Sequence, residues 1–391
     1  MNKMLTSDIV ISGYAETRNV FRSGRSAYDL AADVLDEIVR KYSIVPADID
    51  GLAVTAALSE GSNPFHAAYL SDTLGLQLDW LGTGTTGGCA MLCAVSAAAS
   101  ALRDGRCKVA LVIGADAPST TYSSHYRAYR EEFQVPTGLI RPPAAFALVQ
   151  NAYEQRYGAP DAALAKIVVT QREHALQNAR ACDKLRKALT LDDYLDSRKV
   201  SDPLRLLDSV MFCDGANGVL MMRAETADAM GLPKSVRLAG YAERTNHNVQ
   251  DQTPDLLDSG FKVAGVRALA QAELSVNQVD MLQLYDDFTI AVLIQLEHMG
   301  FCGPGEGASF IGKTDFRFSG DLPLNTGGGQ LSAGQPGLAA GGLNLVEAVR
   351  QLFGEGGATQ VNSPRNALVT GIGGIAYGRG WMMSNALVLD L

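Results

Sequence analysis

The sequence is short of the features that would take a protein of this size out of ordinary globular chemistry. Its 391 residues hold only six cysteines. None stands in a paired or metal-ligand spacing, which argues against a disulfide scaffold or a zinc site and fits a reducing, cytoplasmic compartment. No eighteen-residue run is uninterruptedly apolar, so no membrane-spanning helix is expected, and the opening MNKMLTSDIV lacks the apolar core of a signal peptide. Positive charge is also scarce. Against 42 Asp and Glu there are 33 Lys and Arg, a net −9, which speaks against nucleic acid or an anionic membrane as partner.

What is present is apolar material, 47% of the chain, enough for two core-bearing halves. The most informative stretch is Gly82 to Asp116. Thr85, Thr86, Gly87 and Gly88 form a flexible polar turn, and Cys89 follows at the start of a helix running to about Leu102. From Ala90 onward nearly every side chain is small or apolar, so that helix has no face for water and is expected to be buried. Gly105 ends it, and KVALVIG (108–114) reads as an interior strand. A thiol at a helix start meets unpaired N–H groups and the positive dipole end, which favour the thiolate. The competing reading of Cys89 is a buried packing thiol.

Upstream, strands are expected at 8–13 and 48–56, helices at 27–42 (capped by Ser26) and about 65–74, and an approach to the central turn at 76–80. Such alternation predicts a mainly parallel sheet covered by helices. After Asp116 a polar and aromatic insertion, about 117–200, carries two helices, His125 among Tyr122, Tyr126 and Tyr129, and the positive cluster Arg180, Lys184, Arg186 and Lys187. That cluster suits a phosphate-bearing ligand or, equally, a solvated loop. A strand at 218–222 closes the first half.

Residues 236–391 repeat the outline of 1–235. Strands are expected at 236–241, 279–284, 367–371 and 384–391 and helices at 265–274, 290–299 and through Phe353. Thr326-Gly327-Gly328-Gly329, a small-residue helix and the strand ALVTG mirror Thr85-Thr86-Gly87-Gly88, its helix and VALVIG. An internal duplication predicts two similar sheets back to back, with their strand-end loops meeting near Cys89.

Four segments carry a family resemblance: GTTGGCAMLCAVSAAASALRDG (84–105), SDPLRLLDSVMFCDGA (201–216), YDDFTIAVLIQLEHMGFCGPGEG (285–307) and LPLNTGGGQLSAGQPG (322–337). With these the whole chain resembles the thiolase superfamily, most closely the sterol-carrier-protein-2-type thiolases and thiolase-like proteins. The resemblance implies a duplicated α/β fold in five αβαβα layers, a homodimer, and a coenzyme A thioester whose carbon–carbon bond beside the carbonyl is made or broken. No permanently bound cofactor is implied; coenzyme A is substrate or product. It also implies that a small zinc-ribbon/OB-fold partner subunit can be present.

The resemblance assigns the nucleophile to Cys89, although the spacing to Gly105 leaves Gly88 as an alternative occupant of that slot. Three departures stand out. Gly334-Gln335-Pro336 replaces Gly-His-Pro, and an amide cannot shuttle a proton. Tyr285 stands where relatives place Asn or His, and Gly371 where a second catalytic cysteine is usual. One reading keeps an acyl-Cys89 intermediate, with Tyr285 and Gln335 orienting thioester oxygens, in a thiolase-like acyltransferase for a bulky or carboxylated β-ketoacyl-CoA. A second is a thiolase-like aldol lyase acting on a β-hydroxyacyl-CoA with Tyr285 as acid/base. A third is a non-catalytic acyl-CoA or lipid carrier or partner subunit. Arg180, Lys184, Arg186, Ser332 and Gly334 are the candidate ligand contacts; Asp286, Asn325, His125, Gly371 and Gly373 are candidate supports.

Overall fold

The structure is a computed structural model, described for residues 8–61, 63–121, 131–139, 141–248, 250–251, 255–376 and 380–391. His125, with Tyr122, Tyr126 and Tyr129, lies outside the described residues. Nine strands make one sheet: β1 (Ile9–Glu16), β2 (Gly51–Thr55), β3 (Trp80–Gly84), β4 (Val109–Asp116), β5 (Gly215–Arg223), β6 (Val236–Thr245), β7 (Leu282–Gln283), β8 (Asn366–Ile372) and β9 (Met383–Asp390). Their order is β3-β2-β4-β5-β1-β6-β9-β8-β7. The order seen from β1 outward, β5-β4-β2-β3, repeats from β6 outward as β9-β8-β7, and Leu324 bridges Leu282 in parallel where a counterpart of β3 would lie.

Two expectations are corrected here. The halves are not separate sheets: Val10 pairs with Arg237 and Ile11 with Val236, so hydrogen bonding is continuous across the seam. Nor is the sheet mainly parallel. Only β2 with β3 and β4, and β7 with β8, run parallel, while β1, β5, β6 and β9 pair antiparallel with each of their neighbours. The chain returns along these strands from the insertion and from the late loop, and not through short βαβ crossovers.

Side-chain alternation along the strands sorts the core. One face, with Ile9, Ile11, Val112, Val219, Val369 and Leu387, packs on α3 (Ala90–Arg103) and α9 (Gly341–Leu352). The opposite face of the first half, with Val10, Leu111 and Leu220, packs on α1 (Ala27–Tyr42) and α2 (His66–Thr73). In the second half Leu368, Ala386 and Val388 meet α4 (Arg141–Tyr157), α5 (Asp161–Gln177), α6 (Phe261–Gln271) and α7 (Thr289–Met299). Helix α3 is thus largely covered, as its apolar composition requires, while Ala97 is exposed and Cys93, Ser96 and Ser100 are half-buried. Helix α1 starts with the expected cap, Ser26 Oγ accepting from the Asp29 N–H at 3.1 Å while the Asp29 carboxylate accepts from the Ser26 N–H at 3.0 Å.

The insertion is tied to α7 by buried polar contacts. Tyr153 donates to Glu297 at 2.7 Å. Asp208 accepts from Tyr194 Oη at 2.7 Å and from the Thr289 hydroxyl, which fixes the first turn of α7 and with it the preceding residues 285–288.

Candidate functional site

The site forms where three chain reversals meet: the glycine turn after β3, the turn after β7, and the loop after β8. Strand β7 delivers Tyr285, whose backbone N–H donates to Thr370 Oγ1 of β8 at 2.8 Å and whose carbonyl accepts from Gln295 Nε2 at 2.8 Å. So held, the phenol ring lies against the head of α3. A Cβ on Gly88 would fall 2.2 Å from Tyr285 Cζ and 2.3 Å from its hydroxyl oxygen. No side chain but hydrogen fits at 88, so the alternative nucleophile slot is filled by the tyrosine ring.

Glycine serves the third reversal in the same way. A Cβ on Gly371 would come 2.8 Å from the Gly88 carbonyl oxygen and 3.0 Å from Cys89 Cα, and one on Gly87 (φ +59°) 2.9 Å from the Gly373 carbonyl oxygen. Gly371 and Gly373 therefore admit the end of β8 to the turn that carries Cys89. Asn385 of β9 secures the arrangement, donating to the Cys89 carbonyl at 3.0 Å.

Cys89 sits beside Tyr285, as expected, but its ionisation does not follow the helix-start argument. The thiol is wholly buried and burial pushes it up; the groups around it, Cys93, Glu243 and Asp287, push the same way. A helix terminus contributes at most about 2 kcal/mol. Full burial without a counter-charge is the stronger of the two effects and favours the neutral form. The expected thiolate is corrected to a neutral thiol.

Gln335 reaches the same place from the other side of the cleft. Its backbone N–H donates to Met211 at 3.0 Å and its carbonyl accepts from Cys213 N–H at 2.9 Å. Its side-chain amide donates to Gln330 Oε1 at 3.0 Å, and it is the one neighbour that favours the Tyr285 phenolate. That influence is outweighed. Burial first, then Asp287, Cys89 and Asp286, hold the Tyr285 phenol well above its ordinary range. At neutral pH it is a proton donor.

Asp286 is engaged by backbone amides. Its carboxylate accepts from the backbone N–H groups of Gln330 at 2.9 Å and Leu331 at 3.2 Å, clamping the first turn of α8 (Gly329–Ala333), the helix that leads to Gln335. Burial raises it to about 7 against those bonds. Asn325, at φ +49°, donates to the Leu284 carbonyl at 3.0 Å and supports the same turn.

Asp287 is the residue that the sequence reading passed over. One of its carboxyl oxygens is buried without a hydrogen-bond partner, while the carboxyl group also receives the backbone N–H of Phe288. Its own carbonyl accepts from Val210 N–H at 3.3 Å. Burial and Asp286 push it well above the usual carboxylate range. The available signal was the doubled acid in Tyr285-Asp286-Asp287-Phe288, a costly pair to bury unless one member has work to do.

The expected ligand contacts are mostly engaged within the fold. Arg180 pairs with Glu37 at 2.9 Å and Glu16 at 3.7 Å, and lines a polar cavity of about 20 Å³, room for one water, with Glu16, Glu347 and Arg350. Arg186 donates to the carbonyls of Asn178 at 2.6 Å and Leu176 at 2.9 Å. Arg180 is thus paired with carboxylates, while Arg186 holds a loop through neutral carbonyls. Lys184 lies over the Phe21 ring with Nζ 3.8 Å from its centroid. Ser332 is buried and accepts from Arg172 Nε at 3.2 Å. Gly334, at φ +97°, is wedged between Cys213 and Cys182, with no room for a Cβ. No group of three or more His, Cys, Asp or Glu suited to a metal ion occurs among the described residues, and no helix among them is long and apolar enough to cross a membrane.

Comparison with known proteins agrees with this architecture. Residues 242–384 match the family model "Thiolase C-terminal domain-like". The 17-hydroxy-3-oxo-4-pregnene-20-carboxyl-CoA lyase of Mycobacterium tuberculosis is 30% identical over 369 residues, 90% of this chain and 93% of that one. The steroid side-chain-cleaving aldolase of Thermomonospora curvata is 28% identical over 391 residues, covering 94% of this chain and 95% of the relative. The solved Ltp2-ChsH2(DUF35) aldolase superposes with a TM-score of 0.84 at 27% identity, over 99% of this chain and 98% of that one. The chain belongs to the thiolase superfamily, on its sterol-carrier-protein-2-type, thiolase-like branch.

Proposed function

We propose that this protein is a thiolase-fold aldol lyase, cleaving a β-hydroxyacyl-CoA into a carbonyl compound and a shortened acyl-CoA with Tyr285 as the acid. The observation that carries the reading is the Tyr285 phenol lying over Gly88 at the head of α3, protonated, with Gln335 as the neighbour that favours its ionised form. In a retro-aldol reaction the β-hydroxyl loses its proton, the bond between the α- and β-carbons breaks, and the electron pair passes into a thioester enolate. The enolate α-carbon then takes a proton. A buried phenol supplies that proton, and the Gln335 amide stabilises the oxyanion left on the ring. The similarity to a CoA lyase and a side-chain-cleaving aldolase supports the same chemistry over acyl transfer.

The acyl-Cys89 route is the lesser reading. It needs a thiolate, and both burial and the neighbouring acids oppose one. We further propose a bulky acyl group, a homodimer working in the cytoplasm, and a DUF35-type zinc-ribbon/OB-fold subunit as partner, the last on the likeness to the Ltp2-ChsH2(DUF35) aldolase.

The test is incubation with 17-hydroxy-3-oxo-4-pregnene-20-carboxyl-CoA, alone and with a DUF35-type subunit. Release of a steroid ketone without a mass adduct on Cys89 supports the lyase. An acyl adduct on Cys89 with transfer to coenzyme A supports the acyltransferase. Binding of the thioester with neither product supports a carrier.

A further inference from the structure

A retro-aldol cleavage needs two proton transfers, and the phenol accounts for one of them. Because Tyr285 enters the reaction protonated, another group must take the β-hydroxyl proton. The polar side chains that act on the Tyr285 phenol are Asp287, Cys89, Asp286 and Gln335. Gln335 has no basic site. Cys89 is a buried neutral thiol. Both oxygens of Asp286 are occupied by the amides of Gln330 and Leu331. Asp287 alone has a carboxyl oxygen that is buried and without a partner, in the field of both Cys89 and Tyr285. Its other contacts hold it there: the carboxyl group receives the Phe288 N–H, its carbonyl accepts from Val210, and Phe288 stacks on Phe146 with ring centroids 4.2 Å apart.

A buried carboxyl oxygen is seldom left unbonded, since it then forfeits the water it gave up on folding. We infer that the Asp287 carboxylate is the base that accepts the β-hydroxyl proton of the substrate, acting with the Tyr285 phenol as a two-residue acid/base pair. The inference rests on the lyase reading. The hydroxyl proton passes to Asp287 as the C–C bond breaks and the β-carbon becomes a carbonyl; the enolate α-carbon takes the phenolic proton of Tyr285. The phenolate then recovers the proton held on Asp287. One proton leaves oxygen and one arrives at carbon, so turnover needs no outside acid, base or oxidant. Asp287 takes over the task that a histidine at 335 could have performed.

The groups around Asp287 are Tyr285 and Asp286 on its own turn and Cys89 at the head of α3. The phenol and the thiol are neutral, so burial and the Asp286 carboxyl are what oppose a negative charge on it. The active, ionised form is therefore reached only above the usual carboxylate range, and kcat should rise with pH along a limb displaced upward from it.

The experiment measures ketone release from 17-hydroxy-3-oxo-4-pregnene-20-carboxyl-CoA by the wild type, Asp287→Asn and Asp287→Glu across pH 5 to 9, in the subunit composition active in the test above. The inference predicts a kcat loss on the order of 100-fold or more for Asp287→Asn, with KM little changed and the acid limb gone. Asp287→Glu should restore part of the rate and a limb at a new pH, which separates lost chemistry from lost folding. A wild type that releases ketone, with an Asp287→Asn variant within threefold of it and an unchanged limb, would overturn the inference and leave the lyase standing. No ketone from the wild type would sink the lyase reading and the inference with it.

Discussion

The two glycine turns of the duplicated halves make the most instructive comparison in the molecule. Gly88 opens the way to α3 in the first half, and Gly329 opens α8 in the second; a Cβ on the first would fall 2.2 Å from Tyr285 Cζ, and on the second 2.1 Å from Asp286 Oδ2. Two consecutive side chains on one turn fill two equivalent vacancies. In the second half the visitor is a carboxylate that binds helix amides, and the result is a clamp. In the first it is a phenol, which satisfies no helix amide and keeps its hydroxyl for Gln335. The same local motif is structural in one half and chemical in the other, and the difference lies in what residues 285 and 286 bring to it.

If that division is right, variants on the two sides should separate activity from stability. The largest effect is expected at Tyr285. Tyr285→Phe removes only the hydroxyl, so the fold and thioester binding should survive while kcat for ketone release falls by about 10²–10⁴-fold. Steady-state kinetics with a thermal melt reads both. Gly88→Ala should come next, since the methyl group would overlap the ring and must displace it. A misplacement of about 1 Å is enough to cost roughly 100-fold in rate, and overpacking adds about 1–3 kcal/mol of lost stability in a denaturant titration.

The other turn should answer in stability. Gly329→Ala introduces a side chain at φ +58° against a carboxylate, with an expected loss of about 1–3 kcal/mol by chemical denaturation. Asp286→Asn offers a finer reading through pH. The native carboxyl is raised to about 7, above its unfolded value. The folded state therefore holds this proton where the unfolded state has released it, and its contribution is full below the ordinary carboxylate range and lost as pH rises toward about 7. Wild-type stability should fall across that window, and the slope should flatten in Asp286→Asn.

Much of this was legible in the sequence, and what was not has physical reasons. Helix α1 is found at 27–42 as its apolar spacing and Ser26 cap require, and α3 runs one residue past the expected end, because local signals govern both. Strand β3 falls at 80–84, where 76–80 was expected, and β7 keeps only two residues of an expected six. β3 is an edge strand paired on one side, and β7 is a short strand with only a single bridge, Leu282 to Leu324, on its outer side, so neither carries a long alternation signal. The antiparallel returns of β5 and β9 depend on where the insertion and the late loop bring the chain, which no local pattern encodes. At the site, the motifs led to Cys89, Tyr285, Gln335 and Gly371, and these do converge. The ionisation of Cys89 could not be read, because desolvation is a property of the whole enclosure and the helix start is a property of the sequence. The pairing of Arg180 could not be read for the same reason: Glu16 and Glu37 are more than 140 positions away in the chain.

The smallest effect should come from the residue that the family resemblance marks most strongly. If the phenol has taken over the head of α3, the thiol beside it is packing. Cys89→Ala should then keep ketone release within about threefold, the cost being a small cavity worth about 1 kcal/mol of stability. The acyl-enzyme route demands the reverse, because removing the nucleophile there removes the covalent step itself. The thiol and Tyr285 share one small volume, so each variant tests the other. A Cys89→Ala enzyme that still cleaves, beside a Tyr285→Phe enzyme that does not, would assign the chemistry to oxygen. The opposite pair of results would return it to sulfur, and the comparison between the two glycine turns would lose its chemical half.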